Sequence, residues 1–401
     1  MFSPIGSLDL KKTIHIIGAG YSGLILGYFL KKNGYQVKIF EREKKVGGKI
    51  QTLQGAQGRA ETGAHAFFAN DEIIQEFQHL GLDHLKAQKR LSKKILLDGK
   101  INAIAIPKRE IFRLIWNIVF KRPPHITNET SVDQFFRPLL GDFMADNILP
   151  AAFLGIYALS PTELNFKSLF DTRRQYSSYL QFLFQVRRKK GFHSISFPQG
   201  MNQLIIALRD YLADELITDS HLTSVPSNSI ICTDAIDAAK ILEDSKPEAS
   251  SLLKGITYQR LSSVTVLSQH EISEMKSAFG ILNPTINGSI LGVINNYGIF
   301  PAQQRNSHFS YTFVMREDKE LIAKLQHDLK NIWGLGHLME VKHEILYHPW
   351  TRGIPHYNHA RLHAIDQLKQ LAWHELALFG NYIGGISLRE IFFAAKRFVE
   401  R

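Results

Sequence analysis

An α/β fold with a helical segment set into it is predicted for this chain, and three observations carry the prediction. Gly18-Ala19-Gly20-Tyr21-Ser22-Gly23 follows the apolar run 13–17 and precedes an apolar helical stretch. A second glycine motif, Phe379-Gly380-Asn381-Tyr382-Ile383-Gly384-Gly385-Ile386-Ser387, stands near the other end, before the helix-like run 388–396. Between them, residues 109–195 read as largely helical and aromatic-rich, and residues 256–300 alternate like antiparallel strands. A GxGxxG alone is a weak signal. Paired with a distant glycine-rich helix start, it points to a ligand held by both ends of the chain.

The first element is a strand ending at Ile17, and the glycines after it have separate tasks. Gly18 permits the tight turn, Gly20 lets backbone approach a pyrophosphate, and Gly23 lets helix pack closely on strand. The helix starts near Ala19, runs through Leu24, Leu26, Phe29 and Leu30, and stops at Asn33-Gly34. Its unpaired N–H groups and positive dipole end face the phosphates. A second strand, 36–40, ends in Glu41, about 20 residues past the glycines, where a carboxylate takes ribose hydroxyls. Arg42 follows, then Val46-Gly47-Gly48-Lys49 and the segment Glu61-Thr62-Gly63-Ala64-His65. A dinucleotide unit for NAD alone has no use for the second glycine pair.

Further on, residues 71–80 predict a helix, and residues 94–102 a hairpin turning at Asp98-Gly99. Pro198 to Leu208 reads as a glycine turn at Gly200 into an amphipathic helix; 261–267 and 289–294 read as strands. His356 and His359 lie i, i+3 but lack the HExxH frame, so no metal site is predicted.

The composition is that of an ordinary globular protein of two or three subdomains: 401 residues, 44% hydrophobic and 21% charged. One cysteine, Cys232, excludes an intramolecular disulfide. Residues 1–12 lack a signal-peptide core, and no 18-residue apolar run exists, so a cytoplasmic protein without a membrane span is expected. The net charge of +11 calls for an anionic partner. Nucleic acid is not expected, because no nucleic-acid motif is present. An anionic membrane surface is the other reading. Residues 108–122 place Trp116 and phenylalanines among aliphatics between basic ends, and 179–190 runs apolar into Arg187-Arg188-Lys189-Lys190. An ordinary buried helix with solvated basic ends fits the same residues, and both readings stay open.

The order strand, GxGxxG, strand, acid, Gly-Gly-Lys resembles flavoproteins of the amine oxidase superfamily, in which a segment like 61–65 runs beside the flavin. Within it, the chain resembles the oxygen-dependent protoporphyrinogen oxidase family over nearly its whole length. The hairpin Leu96 to Lys100 with Ile106-Pro107 is similar to that family's "dGkL…lP" element. Pro150 to Leu164, containing Gly155-Ile156-Tyr157-Ala158, resembles its "GIYAGDP" segment and is the most specific match. Phe197 to Leu204, Ser289 to Pro301, and Trp350 to Tyr357 resemble further family segments, and Gly380 to Ser387 completes the set. There are departures. Gly63-Ala64-His65 stands for Gly-Pro-Arg or Gly-Pro-Asp, Leu159-Ser160 replaces Gly-Asp, and Arg361 stands where the family has a histidine. Residues 217–228 replace a longer strand-rich insert that contacts the adenine half of FAD.

The resemblance implies an α/β fold with a discontinuous Rossmann-type FAD-binding domain (11–70, 196–242 and 368–401). To it are added a mixed α+β substrate domain (71–108 and 243–367) and a helical subdomain (109–195), membrane-associated in one of the two readings. It implies oxidation of protoporphyrinogen IX to protoporphyrin IX in three two-electron steps, with oxygen as acceptor and flavin N5 as the reacting atom. FAD is expected to be non-covalent, since Cys232 lies far from the C-terminal motif in sequence. The residues expected to hold it are Gly18, Ala19, Gly20, Tyr21, Ser22, Gly23, Glu41, Arg42, Gly47, Gly48 and Lys49. Gly63, Ala64, His65, Gly380, Asn381, Gly385, Ile386 and Ser387 complete the set. The helix after Gly385 is expected to turn its positive end to the flavin. For the propionates of a tetrapyrrole substrate, His65 is the first candidate, with Arg352 and Arg137 behind it. Another amine oxidase or desaturase-type flavoenzyme, or a non-catalytic tetrapyrrole- or protein-binding relative, fits the departures as well.

Overall fold

The run Ile14–Ile17 lies inside a six-stranded sheet ordered Ile5–Ser7, Leu376–Leu378, Ser229–Ile231, Ile14–Ile17, Val37–Phe40, Leu216–Ile217. The computed structural model describes residues 3–400 apart from 90, 98, 105, 171–174, 187–190, 223, 286–287 and 304–307. The strands are parallel except for the edge strand Ile5–Ser7. They are mostly apolar because both faces are largely covered, with polar His15, Lys38 and Ser229 among them. Successive side chains alternate between two cores: Ile16, Ile230 and Ala377 pack on one side, Ile17, Ile231 and Leu378 on the other.

Helix Tyr21–Lys32 is buried from Leu24 to Leu30, because the C-terminal helix Leu388–Val399 packs on it in turn. Phe29 and Phe392 meet edge to face at 5.1 Å. The first helix ends as its sequence signals, with Asn33 as C-cap and Gly34 at φ +81°. Helices Ala235–Ile241, Pro247–Lys254 and His359–Leu368 cover the opposite face.

The second layer is a seven-stranded sheet in the order His343–Pro355, Tyr258–Ser268, Phe309–Arg316, Ile290–Asn295, Ala278–Leu282, Ser92–Leu97, Lys100–Ala103. The strands expected at 261–267 and 289–294 are in it, and the hairpin expected at 94–102 forms its edge. Asp98, assigned to the turn of that hairpin, lies outside the described residues. Helix Leu321–Asn331 packs on this sheet through Leu325 and Leu329.

The helical segment is built around aromatic rings, with Phe135 stacked on Phe166 at 3.9 Å and enclosed by Tyr176, Tyr179 and Phe182. Helix Val132–Leu140 begins with a capping box, Ser131 and Gln134 bonding each other's backbone. Helix Lys108–Phe120 overturns the buried-helix reading. Its two buried residues are polar, Glu110 (1% exposed) and Asn117 (3%), whereas Phe112 (71%), Trp116 (54%) and Phe120 (64%) face out. Asn117 donates to the Leu139 carbonyl at 2.9 Å, so the polar face is turned inward by a specific bond. Helix Tyr179–Val186 packs beside it and exposes Leu180, Leu183 and Phe184. The basic cluster 187–190 lies outside the described residues. No helix among the described residues is long and apolar enough to cross a membrane.

Candidate functional site

The N-terminal loop has the backbone its glycines allow. Gly18, at φ +103°, takes a conformation that side chains rarely adopt, and a Cβ there would come within 3.1 Å of Thr233. Gly20 caps the helix without a side-chain bond, and its Cβ direction is open, the nearest atom being the Gly48 Cα at 4.0 Å. The first helical bond is Leu24 N–H to Gly20 at 3.0 Å, so the N–H groups of Tyr21, Ser22 and Gly23 precede the ladder. The second glycine pair docks onto the first: Gly47 N–H donates to Ala19 at 2.8 Å, and Gly20 and Gly47 form a parallel bridge.

Glu41 secures this loop, which its spacing alone does not indicate. One carboxylate oxygen accepts from Ala19 N–H at 2.7 Å and the other from Glu43 N–H at 3.0 Å. Each oxygen keeps a lone pair for a ribose hydroxyl. The short segment 217–228 still runs beside it, with Ser220 N–H donating to the Glu41 carbonyl at 2.9 Å.

A knot of charges sits beside the loop. Arg352 donates to Asp234 at 2.8 Å and to Asp237 at 3.0 Å, and Arg42 lies 3.6 Å from Asp237. Lys49 donates to the Gly353 carbonyl at 2.8 Å and lies over the Tyr258 ring. Burial pushes its ammonium down to about 8, against the pull of Asp234. Arg42 also pairs with Glu43 at 3.2 Å and Lys240 lies 3.8 Å from Asp237, so four cations face three carboxylates, a local surplus that suits a bound anion. Asp234 and Asp237 were missed by sequence reasoning, although Asp-x-x-Asp before an alanine-rich run is a helix-start signal. Asp234 caps its helix by accepting from Asp237 N–H at 2.9 Å.

The segment 61–65 is held from both sides. Trp350 donates from its indole to the Thr62 carbonyl at 2.7 Å, and a Cβ on Gly63 would lie 2.5 Å from the Lys49 carbonyl. His65 lines an enclosed cavity with Glu61, Arg59, Asn296 and Gln303. Its Nδ1 is buried with no partner, and desolvation pushes the ring down to about 4, so it is neutral at pH 7. It can therefore meet a carboxylate as a neutral hydrogen-bonding group, not as a cation.

Glu61 accepts from Met201 N–H and from the Thr52 hydroxyl, both at 2.9 Å, yet burial pushes its carboxyl up to about 7. The folded state then binds an extra proton between the ordinary value and pH 7. Stability is fully present below that window and falls as pH rises through it. Glu61→Gln is therefore expected to be more stable than wild type at pH 8, by on the order of 2–3 kcal/mol, converging towards pH 4. Urea unfolding at both pH values checks this, and an unchanged pH slope in the variant would refute it.

The C-terminal motif closes the site. Gly380 approaches the strand end through Thr233, whose carbonyl would lie 3.5 Å from a Cβ at 380, and Thr233 also borders Gly18. Tyr21 donates its hydroxyl to the Leu388 carbonyl at 3.2 Å, so the two glycine motifs meet. Ser387 caps the last helix with a capping box, and Gly385 leaves room for the Glu390 carboxylate, which a Cβ would strike at 2.0 Å. That carboxylate tempers the positive helix end expected from sequence, since it accepts from Ser387 N–H at 3.2 Å.

The three substrate candidates are not brought together as free cations. Arg352 is answered by its two aspartates. Arg137 is bound by Asp133, Asp142 and Asp146 on its own helix and the next, so its charge is spent inside the helical subdomain. Their partners, not their positions in sequence, decide this.

Comparison with known proteins agrees with the geometry. Residues 16–80 match the family of NAD(P)-binding Rossmann-like domains. Protoporphyrinogen oxidase 2 of Arabidopsis thaliana is 23% identical over 94% of this chain and 91% of its own. Coproporphyrinogen III oxidase of Staphylococcus aureus is 25% identical over 41% of each chain. Among solved structures, an Exiguobacterium protein assigned as a protoporphyrinogen oxidase superposes with TM-score 0.78 at 17% identity, covering 98% of this chain and 99% of that one. Putrescine oxidase superposes with TM-score 0.70 at 13% identity, over 97% and 99%. The chain shares its fold with these oxidases. Among them its resemblance is to the protoporphyrinogen and coproporphyrinogen oxidases, as the sequence motifs implied.

Proposed function

We propose that this protein is an FAD-dependent oxidase of a porphyrinogen, acting on protoporphyrinogen IX with oxygen as acceptor. The observation that carries the proposal is the meeting of the two glycine motifs through Tyr21, Leu388 and Thr233, beside a surplus of positive charge. The residues fit FAD. Gly20 leaves space that a side chain would fill, Tyr21, Ser22 and Gly23 offer N–H groups to a pyrophosphate, and Glu41 keeps acceptors for the ribose. Lys49, Arg42 and Arg352 supply the surplus charge, and Trp350 fixes the strip 61–65 against the ring. Bound FAD would supply the electron acceptor. The protein's own part is to orient the ring, exclude water, and offer the His65 Nδ1 to a polar group of the substrate.

The purified protein is expected to be yellow and to release its flavin on mild acid treatment: the sole cysteine, Cys232, lies next to the C-terminal motif in space, but it is buried and burial pushes its thiol up, away from the reactive thiolate. It should convert protoporphyrinogen IX to a fluorescent porphyrin in air faster than coproporphyrinogen III, and leave putrescine untouched. A colourless protein that stays colourless with added FAD would sink the reading, and a preference for the amine would redirect it.

The exposed apolar face of helices 108–120 and 179–186, flanked by Arg109, Arg113, Lys121 and Arg122, supports a site for an anionic membrane surface. Binding to vesicles containing phosphatidylserine is expected at low salt and to weaken as the screening length falls from about 10 Å at 0.1 M to about 3 Å at 1 M. Replacing Arg113, Lys121 and Arg122 together should remove roughly 1 kcal/mol for each charge near the surface while leaving flavin content intact. Indifference to anionic vesicles at low salt would refute the membrane role.

A further inference from the structure

Arg361 is the residue whose placement the proposed chemistry leaves unexplained. It sits in the first turn of helix His359–Leu368 and is 3% exposed. Its Nε donates to the Tyr382 carbonyl at 2.7 Å and its Nη2 to the Gly384 carbonyl at 3.0 Å. The guanidinium carbon lies 4.1 Å from the centre of the Tyr357 ring, and the Tyr357 hydroxyl donates to the Asn381 carbonyl at 2.6 Å. Tyr357 and Arg361, on either side of the helix start, thus hold the turn 381–384 at Asn381, Tyr382 and Gly384.

Hydrogen bonds alone do not call for an arginine there. A buried guanidinium carries a large desolvation cost that a neighbouring carboxylate ordinarily offsets. Among the described residues Arg361 takes part in no ion pair. The groups around it are the phenols of Tyr157, Tyr258 and Tyr357, which burial holds neutral. The acid that influences Tyr157 and Tyr357, Glu390, is taken up by the capping box of the last helix, and the one that influences Tyr258, Asp234, by Arg352. The fold therefore keeps a positive charge with no fixed counter-ion behind the segment that, in the flavin reading above, holds the ring.

We propose that Arg361 is a positioning residue that sets the turn 381–384 and, through its charge, raises the reduction potential of FAD bound against that turn. The inference rests on the flavin reading. Reduction adds electron density to the ring, and a cation held at low dielectric favours the reduced over the oxidised cofactor. A neutral residue of similar reach would keep the turn and lose the bias.

The test compares wild type, Arg361→Lys and Arg361→Gln, each saturated with FAD. FAD content is read by absorbance and the midpoint potential by dye-coupled reduction. Arg361→Gln is expected to show at least a tenfold loss of affinity for reduced relative to oxidised FAD. That is a midpoint lowered by about 30 mV for a two-electron couple. Arg361→Lys is expected to stay near wild type. If Arg361→Gln does not fold, Arg361→His, whose buried imidazole would be neutral, takes its place in the comparison. A neutral variant that binds FAD at the wild-type potential overturns the proposal while the flavin reading stands. Wild type that takes up no FAD overturns both, and that result appears before any variant is made.

Discussion

Gly23→Ala is expected to lose most of the protein's stability. A Cβ at this position would lie 1.9 Å from the Gly18 carbonyl oxygen and 3.2 Å from the Ile16 side chain. Neither neighbour can yield: the carbonyl belongs to the tight turn and Ile16 is fully buried in the central strand. Overpacking a core costs about 1–3 kcal/mol where side chains can adjust, and a backbone obstruction costs more. Against a total of roughly 5–15 kcal/mol, that is a large fraction. Urea unfolding of the cofactor-free protein gives the value. Gly34→Ala is the control, since Gly34 has a positive φ of +81° but nothing within 4 Å. It should lose about 1–2 kcal/mol from backbone strain alone. Equal losses in the two variants would show that close helix–strand packing at Gly23 contributes nothing.

Gly20→Ala separates binding from folding. Gly20 has φ −69°, which any residue adopts, and its Cβ would reach only the Gly48 Cα at 4.0 Å. Cofactor-free stability is expected to fall by only about 1 kcal/mol, the cost of replacing a glycine helix cap by the poorer cap alanine. FAD affinity is expected to fall by roughly ten- to a hundredfold, the equivalent of about 1–3 kcal/mol of steric conflict where backbone should approach pyrophosphate. Fluorescence titration with FAD measures this. Wild-type affinity in the variant would mean that the phosphates pass elsewhere.

The contrast between these glycines was legible in the sequence, because strand, turn and helix follow one another within 25 residues and each carries a local signal. The same is true of the strand at 37–40 and of the helix ends at Gly34 and Gly200. Pairing over long distances was not legible. Nothing local in Leu376–Leu378 states that it lies between Ser229–Ile231 and the edge strand Ile5–Ser7. Arg352 reads as a free cation until Asp237, 115 residues away, is placed beside it. Helix 108–120 gave a period but not a direction. Its apolar stripe fits an inward or an outward face equally, and the bond from Asn117 to Leu139 decides between them. The desolvation of His65 depends on the cavity it shares with Asn296 and Gln303, which no spacing reveals.

The strand order also sets a timetable for synthesis. The strand Ser229–Ile231 stays unpaired on one side until Leu376–Leu378 has left the ribosome. The last helix, which packs on the first, emerges later still. A nascent chain therefore carries an open, mostly apolar sheet edge for about 145 residues of elongation, on the order of ten seconds. Such an edge invites pairing with other chains. Closure of this sheet consequently waits on residues synthesised long after its central strands.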